Sequence, residues 1–266
     1  MNFSNNKFLT LHEKKISNDF FNKGFLIFES ENKKFNTDIK KKVIEISSKI
    51  LNKKDINLDL LHKFILKKDI NNFRLEVINK INKYKNLREK YFNLGRSNIS
   101  ILAGNELVMQ KNINLSIQLP NDETSLLPIH SDVWSGDSPY EINLWVPLVN
   151  CFKSKSMYIL KKKNIEYFYK LSKSKKINSS DLLYNKLKKK LTWLNINYGK
   201  VLLFDQSLPH GNIVNKEKTT RWSMNCRFKS IFTPYGDKKI GEFFSPITTR
   251  AMTKIGFNYK FPFKNR

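Results

Sequence analysis

The segment TTRWSMNCRF, residues 219–228, alternates between polar and apolar side chains from Arg221 onward. A period of two predicts a β-strand, because successive side chains of a strand point to opposite faces of its sheet. The polar face of this strand comprises Arg221, Ser223, Asn225 and Arg227, and the apolar face comprises Trp222, Met224, Cys226 and Phe228. The apolar face must be packed. The polar face therefore indicates either the wet, ligand-holding interior of a barrel or a solvent-exposed surface.

Four more segments predict strands, all of them after about residue 103. They are NINLSIQL (112–119), EINLWVPLV (141–149), SMYIL (156–160) and GKVLLF (199–204). A lysine-rich, largely helical insertion at about residues 161–195 interrupts this series.

The first hundred residues predict helices instead. Ile39, Val43, Ile46 and Ile50 recur at steps of four, three and four, which places them on one stripe of a helix that Thr37 or Asp38 would cap. Phe73, Val77, Ile81 and Tyr84 repeat this pattern. The segment ISNDFFNKGFLIF, residues 16–28, predicts a helix that ends at Gly24 and a short strand after it.

Helices followed by many strands, without alternation of the two, indicate an α+β fold with an antiparallel sheet or barrel. We expect one domain over residues 1–266, with a helical part at about 1–100 and a strand core at about 101–235. A length of 266 residues suits a single large domain.

The composition indicates a globular protein, with 40% hydrophobic and 13% aromatic residues. No apolar run approaches the roughly 20 residues that cross a bilayer, and the N-terminus lacks the layout of a secretory signal. The two cysteines, Cys151 and Cys226, stand in apolar contexts, so we expect no disulfide framework. These features predict a soluble cytoplasmic protein with no membrane partner.

The formal net charge is +26, which favours encounter with anions. The lysines are spread along the chain among abundant Asn and Ile, as in a compositional bias of the whole sequence. The basic runs at 161–163 and 188–190 lack the interleaved aromatic residues of a nucleic-acid site. A nucleic-acid-binding module therefore stays only as an alternative.

The segment LLPIHSDVWSGDSPYEINLW, residues 126–145, contains a candidate metal site. On a strand, His130 and Asp132 would point to the same side. His210 follows a predicted buried strand and is a candidate third ligand, whereas the other two histidines lie in the helical half. Two histidines and one carboxylate are the ligands typical of non-haem Fe(II) oxygenases. A pair on a surface strand is the alternative for His130 and Asp132.

Arg221 stands 11 residues after His210, so a turn and a neighbouring strand can bring it near such a metal. Its guanidinium suits two-point binding of a carboxylate. Ser223 lies on the same face and could donate another hydrogen bond to that carboxylate.

The spacing of His130, Asp132, His210, Arg221 and Ser223 resembles that of the Fe(II)/2-oxoglutarate-dependent oxygenases of the phytanoyl-CoA dioxygenase-like superfamily. The resemblance covers about residues 17–232. Residues 130–160 are similar to a branch found in sporadically distributed carbohydrate-biosynthesis clusters.

This resemblance implies a double-stranded β-helix, or jelly roll, with N-terminal helices packed on one sheet. It also implies Fe(II) on the three ligands, 2-oxoglutarate held by Arg221 and Ser223 beside Trp145, and O2 as the oxidant. A departure occurs at SKSMYILKKKN, residues 154–164, where the family has a Gly-then-PGSH segment. The presence of Asp132 argues against halogenase chemistry.

The predicted substrate is a sugar or nucleotide sugar, oxidised in carbohydrate, polysaccharide or secondary-metabolite biosynthesis. The predicted substrate-binding residues are Gln118, Trp134, Ser135, Asp137, Tyr140, Asn143 and Arg227. The segment WSGDSPY, residues 134–140, contains four of these residues, and its composition is also typical of a turn. A metal-dependent isomerase or epimerase that does not use 2-oxoglutarate is an alternative, and the sequence leaves the oligomeric state open.

Overall fold

A computed structural model describes residues 3–173, 177 and 179–262. Its N-terminal part contains helices α1 (Leu11–Lys23), α2 (Lys33–Leu51), α3 (Ile70–Asn82), α4 (Leu87–Phe92) and α5 (Arg96–Ala103), and strand β1 (Phe25–Glu29) between the first two helices. The predicted entry of helix, glycine and strand is confirmed. Gly24 ends α1 with φ of 79°, a left-handed conformation that favours glycine.

Helix α2 begins earlier than the sequence pattern predicted. Asn32 is its cap and accepts a hydrogen bond from the backbone N–H of Phe35. The predicted cap at Thr37 or Asp38 is wrong, because the Thr37 hydroxyl donates to the Lys33 carbonyl inside the helix. The predicted apolar stripe is confirmed for its first three members, which are buried.

The remaining strands are β2 (Leu107–Gln110), β3 (Asn114–Gln118), β4 (Ile142–Pro147), β5 (Tyr158–Leu160), β6 (Leu191–Trp193), β7 (Lys200–Asp205), β8 (His210–Gly211), β9 (Arg221–Ser230) and β10 (Phe244–Pro246). All five predicted strands are present. The short strands β2, β6, β8 and β10 were not predicted, since two to four residues are too few to show an alternation.

The strands form two antiparallel sheets in the described part of the chain. The larger sheet has the order β1-β7-β4-β9-β2-β10, and β3 also pairs with β9; the smaller has the order β6-β5-β8. The expected combination of helices with antiparallel sheets is therefore confirmed.

The insertion between β5 and β7 contains helices α6 (Ile165–Ser172) and α7 (Ser180–Leu187) and strand β6. The prediction of a largely helical insertion agrees with these elements, although residues 174–176 and 178 lie outside the described residues. A last helix, α8 (Ala251–Asn258), follows β10. No helix within the described ranges has the length and hydropathy needed to cross a membrane.

The core joins the helical part to the larger sheet. Trp222 on β9 is fully buried, packs edge-on against Phe73 of α3 at 6.2 Å between ring centroids, and donates through Nε1 to the Leu58 carbonyl at 2.9 Å. Phe228, near the other end of β9, packs against Phe92 of α4. The apolar face of β9 is therefore covered by helices, as the sequence required.

Candidate active site

His130, Asp132 and His210 meet at one point between the two sheets. Their candidate ligand atoms all lie within 4.8 Å of one another. The two histidines are held together by the backbone, since each N–H donates to the carbonyl of the other at 2.9 and 2.8 Å. The donor set is the one that the sequence pattern predicted.

Asp132 reaches this point by a different route from the predicted one. It is the first residue of a 3-10 helix, Asp132–Ser135, and does not continue a strand from His130. The prediction that both residues share a strand is therefore wrong. The backbone N–H of Asp132 instead donates to the Gln206 carbonyl at 3.1 Å. This contact ties Asp132 to the turn that precedes His210.

Both imidazole rings are oriented by backbone carbonyls. Nδ1 of His130 lies 2.8 Å from the Pro128 carbonyl, and Nδ1 of His210 lies 2.8 Å from the Leu208 carbonyl. A carbonyl only accepts, so each Nδ1 carries a proton, and in the neutral ring each Nε2 is left with its lone pair. These Nε2 atoms lie 3.4 and 3.8 Å from Oδ1 of Asp132. Metal-binding histidines are commonly fixed in this way.

The charges of the three groups depend on burial and on their neighbours. Burial lowers the pKa of His210 to about 4, which keeps this imidazole neutral near pH 7. Burial opposes ionisation of Asp132, but the hydrogen bond that a protonated His130 donates through Nε2 and the charge of Arg227 outweigh burial and lower the Asp132 pKa. For His130, burial is outweighed by the Asp132 and Pro128 hydrogen bonds, and the pKa is raised.

Gly211 allows the backbone next to His210 to pack tightly. A Cβ atom at this position would lie 2.6 Å from both the Leu127 carbonyl oxygen and the Tyr158 hydroxyl. Any other residue at 211 would push apart the two segments that carry the histidines.

A cavity of about 250 Å³ begins at these three residues and extends between the sheets. The whole polar face of β9 lines it, together with Ser116 of β3 and Trp145 of β4. Arg221 and Ser223 are 3% and 1% exposed. The polar face of β9 thus faces an interior cavity, and the alternative of a solvent-exposed face is wrong.

Arg221 is buried in this cavity without a carboxylate partner among the described residues. Nη1 donates to the Ser156 carbonyl at 3.1 Å and Nη2 donates to Ser116 Oγ at 2.8 Å, while Nε has no hydrogen-bond partner within the described ranges. Burial lowers the pKa of Arg221 to about 10, so the guanidinium is still charged at pH 7. A buried, unpaired cation is costly unless an anion joins it. The cavity therefore suits a carboxylate ligand that reaches from Arg221 toward the histidines.

The seven predicted substrate-binding residues divide into three groups. Asn143 and Arg227 line the cavity. Gln118 and Asp137 are buried, and they contact the Ile213 carbonyl and Lys238 respectively. Trp134, Ser135 and Tyr140 are exposed at the surface. Trp134 stacks on Phe168 of α6, which joins the insertion to the Asp132 turn.

Two residues that contact the arginines of the site were not predicted. Ser116 contacts Arg221, and it occupies a polar position of the alternating NINLSIQL segment, so that pattern contained a usable signal. Gln206 is fully buried and contacts both Asp132 and Arg227. It stands in a turn, where no periodicity indicates which way a side chain points.

No family model matches the sequence, and no curated protein matches it. Solved structures match its fold. EvdMO1 has a TM-score of 0.56 and 13% identity, over 82% of this chain and 50% of its own. SnoK, a non-haem α-ketoglutarate-dependent carbocyclase of nogalamycin biosynthesis, has a TM-score of 0.50 and 12% identity, over 88% of this chain and 96% of its own.

A third match is HygX from Streptomyces hygroscopicus, solved with nickel and 2-oxoglutarate bound. It has a TM-score of 0.50 and 12% identity, over 87% of this chain and 90% of its own. At these identities the likeness shows a shared fold. The predicted metal and 2-oxoglutarate are ligands of the kind bound by this neighbour, and His130, Asp132 and His210 are a group in this chain that could hold a metal ion.

Proposed function

We propose that this protein is a non-haem Fe(II)/2-oxoglutarate-dependent oxygenase with a jelly-roll core. The observation that carries the proposal is the cavity in which the His130, Asp132 and His210 ligand atoms meet and Arg221 lies buried, with no acidic partner in the described part of the chain. A metal with open positions and a cation for a distal carboxylate are the two things that such a co-substrate requires.

In this proposal each side chain has a separate role. His130 and His210 bind the metal through Nε2, because their Nδ1 atoms are occupied by backbone carbonyls. Asp132 supplies the anionic ligand, and its lowered pKa keeps it ionised at physiological pH. Arg221 binds the distal carboxylate of 2-oxoglutarate, with Ser223 next to it on the same face of β9 and Trp145 as a wall.

When bound, the iron and its co-substrate would supply O2 activation and oxidation of a substrate C–H bond, with release of succinate and CO2. The protein supplies binding, orientation and exclusion of water. Arg221 in this cavity is 3% exposed, whereas the side chain of His130 is 29% exposed. Substrate would therefore approach from the His130 side.

For the substrate, we propose a sugar or nucleotide sugar, oxidised in carbohydrate or secondary-metabolite biosynthesis. Support comes from the exposed segment that directly follows Asp132, where Trp134 is 53% exposed and Ser135 offers a hydroxyl. Aromatic faces next to hydroxyl groups suit the apolar and polar faces of a sugar ring. The resemblance of residues 130–160 to the carbohydrate-cluster branch supports the same class.

The isomerase alternative is less well supported. It requires the metal ligands but no acidic co-substrate, and it leaves the buried charge of Arg221 without a function. A 2-oxoglutarate-dependent oxygenase accounts for the metal ligands and for the buried charge of Arg221.

The test is measurement of succinate from 2-oxoglutarate with purified protein and Fe(II), with no added substrate and then with candidate nucleotide sugars. We expect slow succinate release that requires Fe(II) and a faster rate with the true substrate. Calorimetric titration of the nickel-loaded protein should show 2-oxoglutarate binding. A protein that binds neither nickel nor 2-oxoglutarate would contradict the proposal.

A further inference from the structure

The two carboxylate oxygens of Asp132 face different partners. Oδ1 is the oxygen next to both imidazoles, at 3.4 Å from His130 Nε2 and 3.8 Å from His210 Nε2. Oδ2 points the other way and lies 3.2 Å from Nη2 of Arg227. One oxygen is therefore available at the metal position, while the arginine holds the other.

Arg227 is itself held firmly. Its Nε donates to Oε1 of Gln206 at 2.9 Å, and its Nη2 also lies 3.5 Å from Oδ2 of Asp137. The Arg227 side chain is only 11% exposed, and Gln206 is fully buried, with its own Nε2 donating to Glu141 at 2.8 Å. Gln206 also fixes the Asp132 backbone through its carbonyl. The guanidinium cannot easily move away from the carboxylate.

We infer that Arg227 is a positioning residue that restricts Asp132 to binding the metal through Oδ1 alone. Carboxylates bind metals through one oxygen or two, and a second oxygen from Asp132 would take a coordination position that 2-oxoglutarate needs. A charge-assisted hydrogen bond from Arg227 keeps Oδ2 away from the metal, so that this position stays free for 2-oxoglutarate. This inference rests on the proposed function and deepens it. It assigns Arg227 to Asp132, whereas the sequence analysis placed Arg227 among the substrate-binding residues.

Lys238 provides a matched control. Its Nζ lies 2.7 Å from Oδ2 of Asp137, the same oxygen that Arg227 reaches. Within the described residues Lys238 has no contact with Asp132. Its loss removes one positive charge from the same cluster but leaves the Arg227 contact with Asp132 in place.

The experiment compares Arg227→Gln and Arg227→Lys with Lys238→Gln and the unaltered protein, all loaded with Ni(II), which does not turn over. Calorimetry measures the affinity for 2-oxoglutarate, and a crystal structure of each nickel-loaded protein without co-substrate gives both Asp132 oxygen–nickel distances. We expect Arg227→Gln to weaken 2-oxoglutarate binding about 10- to 100-fold and to let both oxygens reach the metal. Lys238→Gln should bind 2-oxoglutarate as the unaltered protein does.

Arg227→Lys keeps the charge but loses the forked geometry that spans Gln206 and Asp132, so we expect a smaller loss of affinity. If Arg227→Gln does not fold, the affinity and the Asp132 oxygen–nickel distances of Arg227→Lys test the inference in its place. Unchanged affinity with one bound oxygen in both variants would overturn the inference. So would weaker binding with Asp132 still bound through one oxygen, or an equal loss in Lys238→Gln. If the unaltered protein binds neither nickel nor 2-oxoglutarate, the proposed function fails and this inference falls with it.

Discussion

The two faces of strand β9 have opposite surroundings. The residues of its apolar face are each 0% exposed, and they pack under the helices of the N-terminal part: Trp222, Met224, Cys226 and Phe228. The residues of its polar face line the cavity between the sheets: Arg221, Ser223, Asn225 and Arg227. The helix-covered face holds the strand in place. The cavity face can therefore keep charged groups at fixed positions away from bulk water, where their interactions are stronger.

The cavity face also differs between its two ends. Arg221 has only neutral partners among the described residues, the Ser156 carbonyl and the Ser116 hydroxyl. Arg227, six residues later, contacts the carboxylates of Asp132 and Asp137. The same residue type on one face of one strand thus has neutral partners at one end and two carboxylate partners at the other.

The largest expected effect is on the cavity side. His210→Ala removes one of two imidazole ligands, and we expect it to abolish Fe(II)-dependent succinate release. Nickel affinity, measured by calorimetry, should fall by at least about tenfold. His12→Ala is the control, because His12 is exposed on α1. Normal succinate release from His210→Ala would contradict the assignment of His210 as a metal ligand.

The next effect separates the two ends of the cavity face. Arg221→Met removes the unpaired cation, and we expect 2-oxoglutarate to bind about 2–5 kcal/mol more weakly, which is at least about 30-fold. Thermal unfolding should show no loss of stability, since no protein carboxylate is left unpaired. Unchanged 2-oxoglutarate affinity would show that Arg221 does not bind the co-substrate.

The helix-covered face should respond in the opposite way. Met224→Ala removes a fully buried side chain, and we expect the free energy of unfolding to fall by about 2–5 kcal/mol in denaturant titrations. Nickel and 2-oxoglutarate should bind to the folded variant with nearly unchanged affinity. A stable variant with impaired 2-oxoglutarate binding would break the division between the two faces.

The smallest expected effect is that of pH on the metal site. The pKa of His130 is raised by its hydrogen bonds to Asp132 and Pro128, which outweigh burial, so this imidazole holds its proton to a higher pH than the ordinary 6.5. A metal must displace that proton. We therefore expect nickel affinity to fall by up to about tenfold for each pH unit below the His130 pKa. Calorimetry from pH 8 to pH 5.5 checks this; an affinity that does not change would exclude His130 as a ligand.

Much of the fold was predictable because it depends on local periodicity. The alternation of residues 219–228 and the stripe on α2 both depend only on side-chain direction along a regular backbone. The cap of α2 was mispredicted, because Thr37 and Asp38 are common cap residues and only the true start at Asn32 places them inside the helix. The short strands β2, β6, β8 and β10 lack enough residues to show a period.

The candidate site was predictable in its members and not in its geometry. His130, Asp132, His210, Arg221 and Ser223 were singled out by residue type and spacing, and the structure brings them to one cavity. The 3-10 helix that begins at Asp132 was not foreseen, since a residue pair two apart fits a strand equally well. The contacts of the seven substrate candidates also depend on long-range packing.

The sequence by itself determined which side chains share a face and which residue types are present to bind a metal and an acid. These properties follow from backbone repeat and side-chain chemistry, both of which are local. Only the tertiary structure decided that, among the residues it describes, Arg221 has no acidic partner while Arg227 has two, and that Gln206 joins Arg227 to Asp132. Those pairings arise between segments up to about a hundred residues apart, and no local pattern encodes which of them will touch.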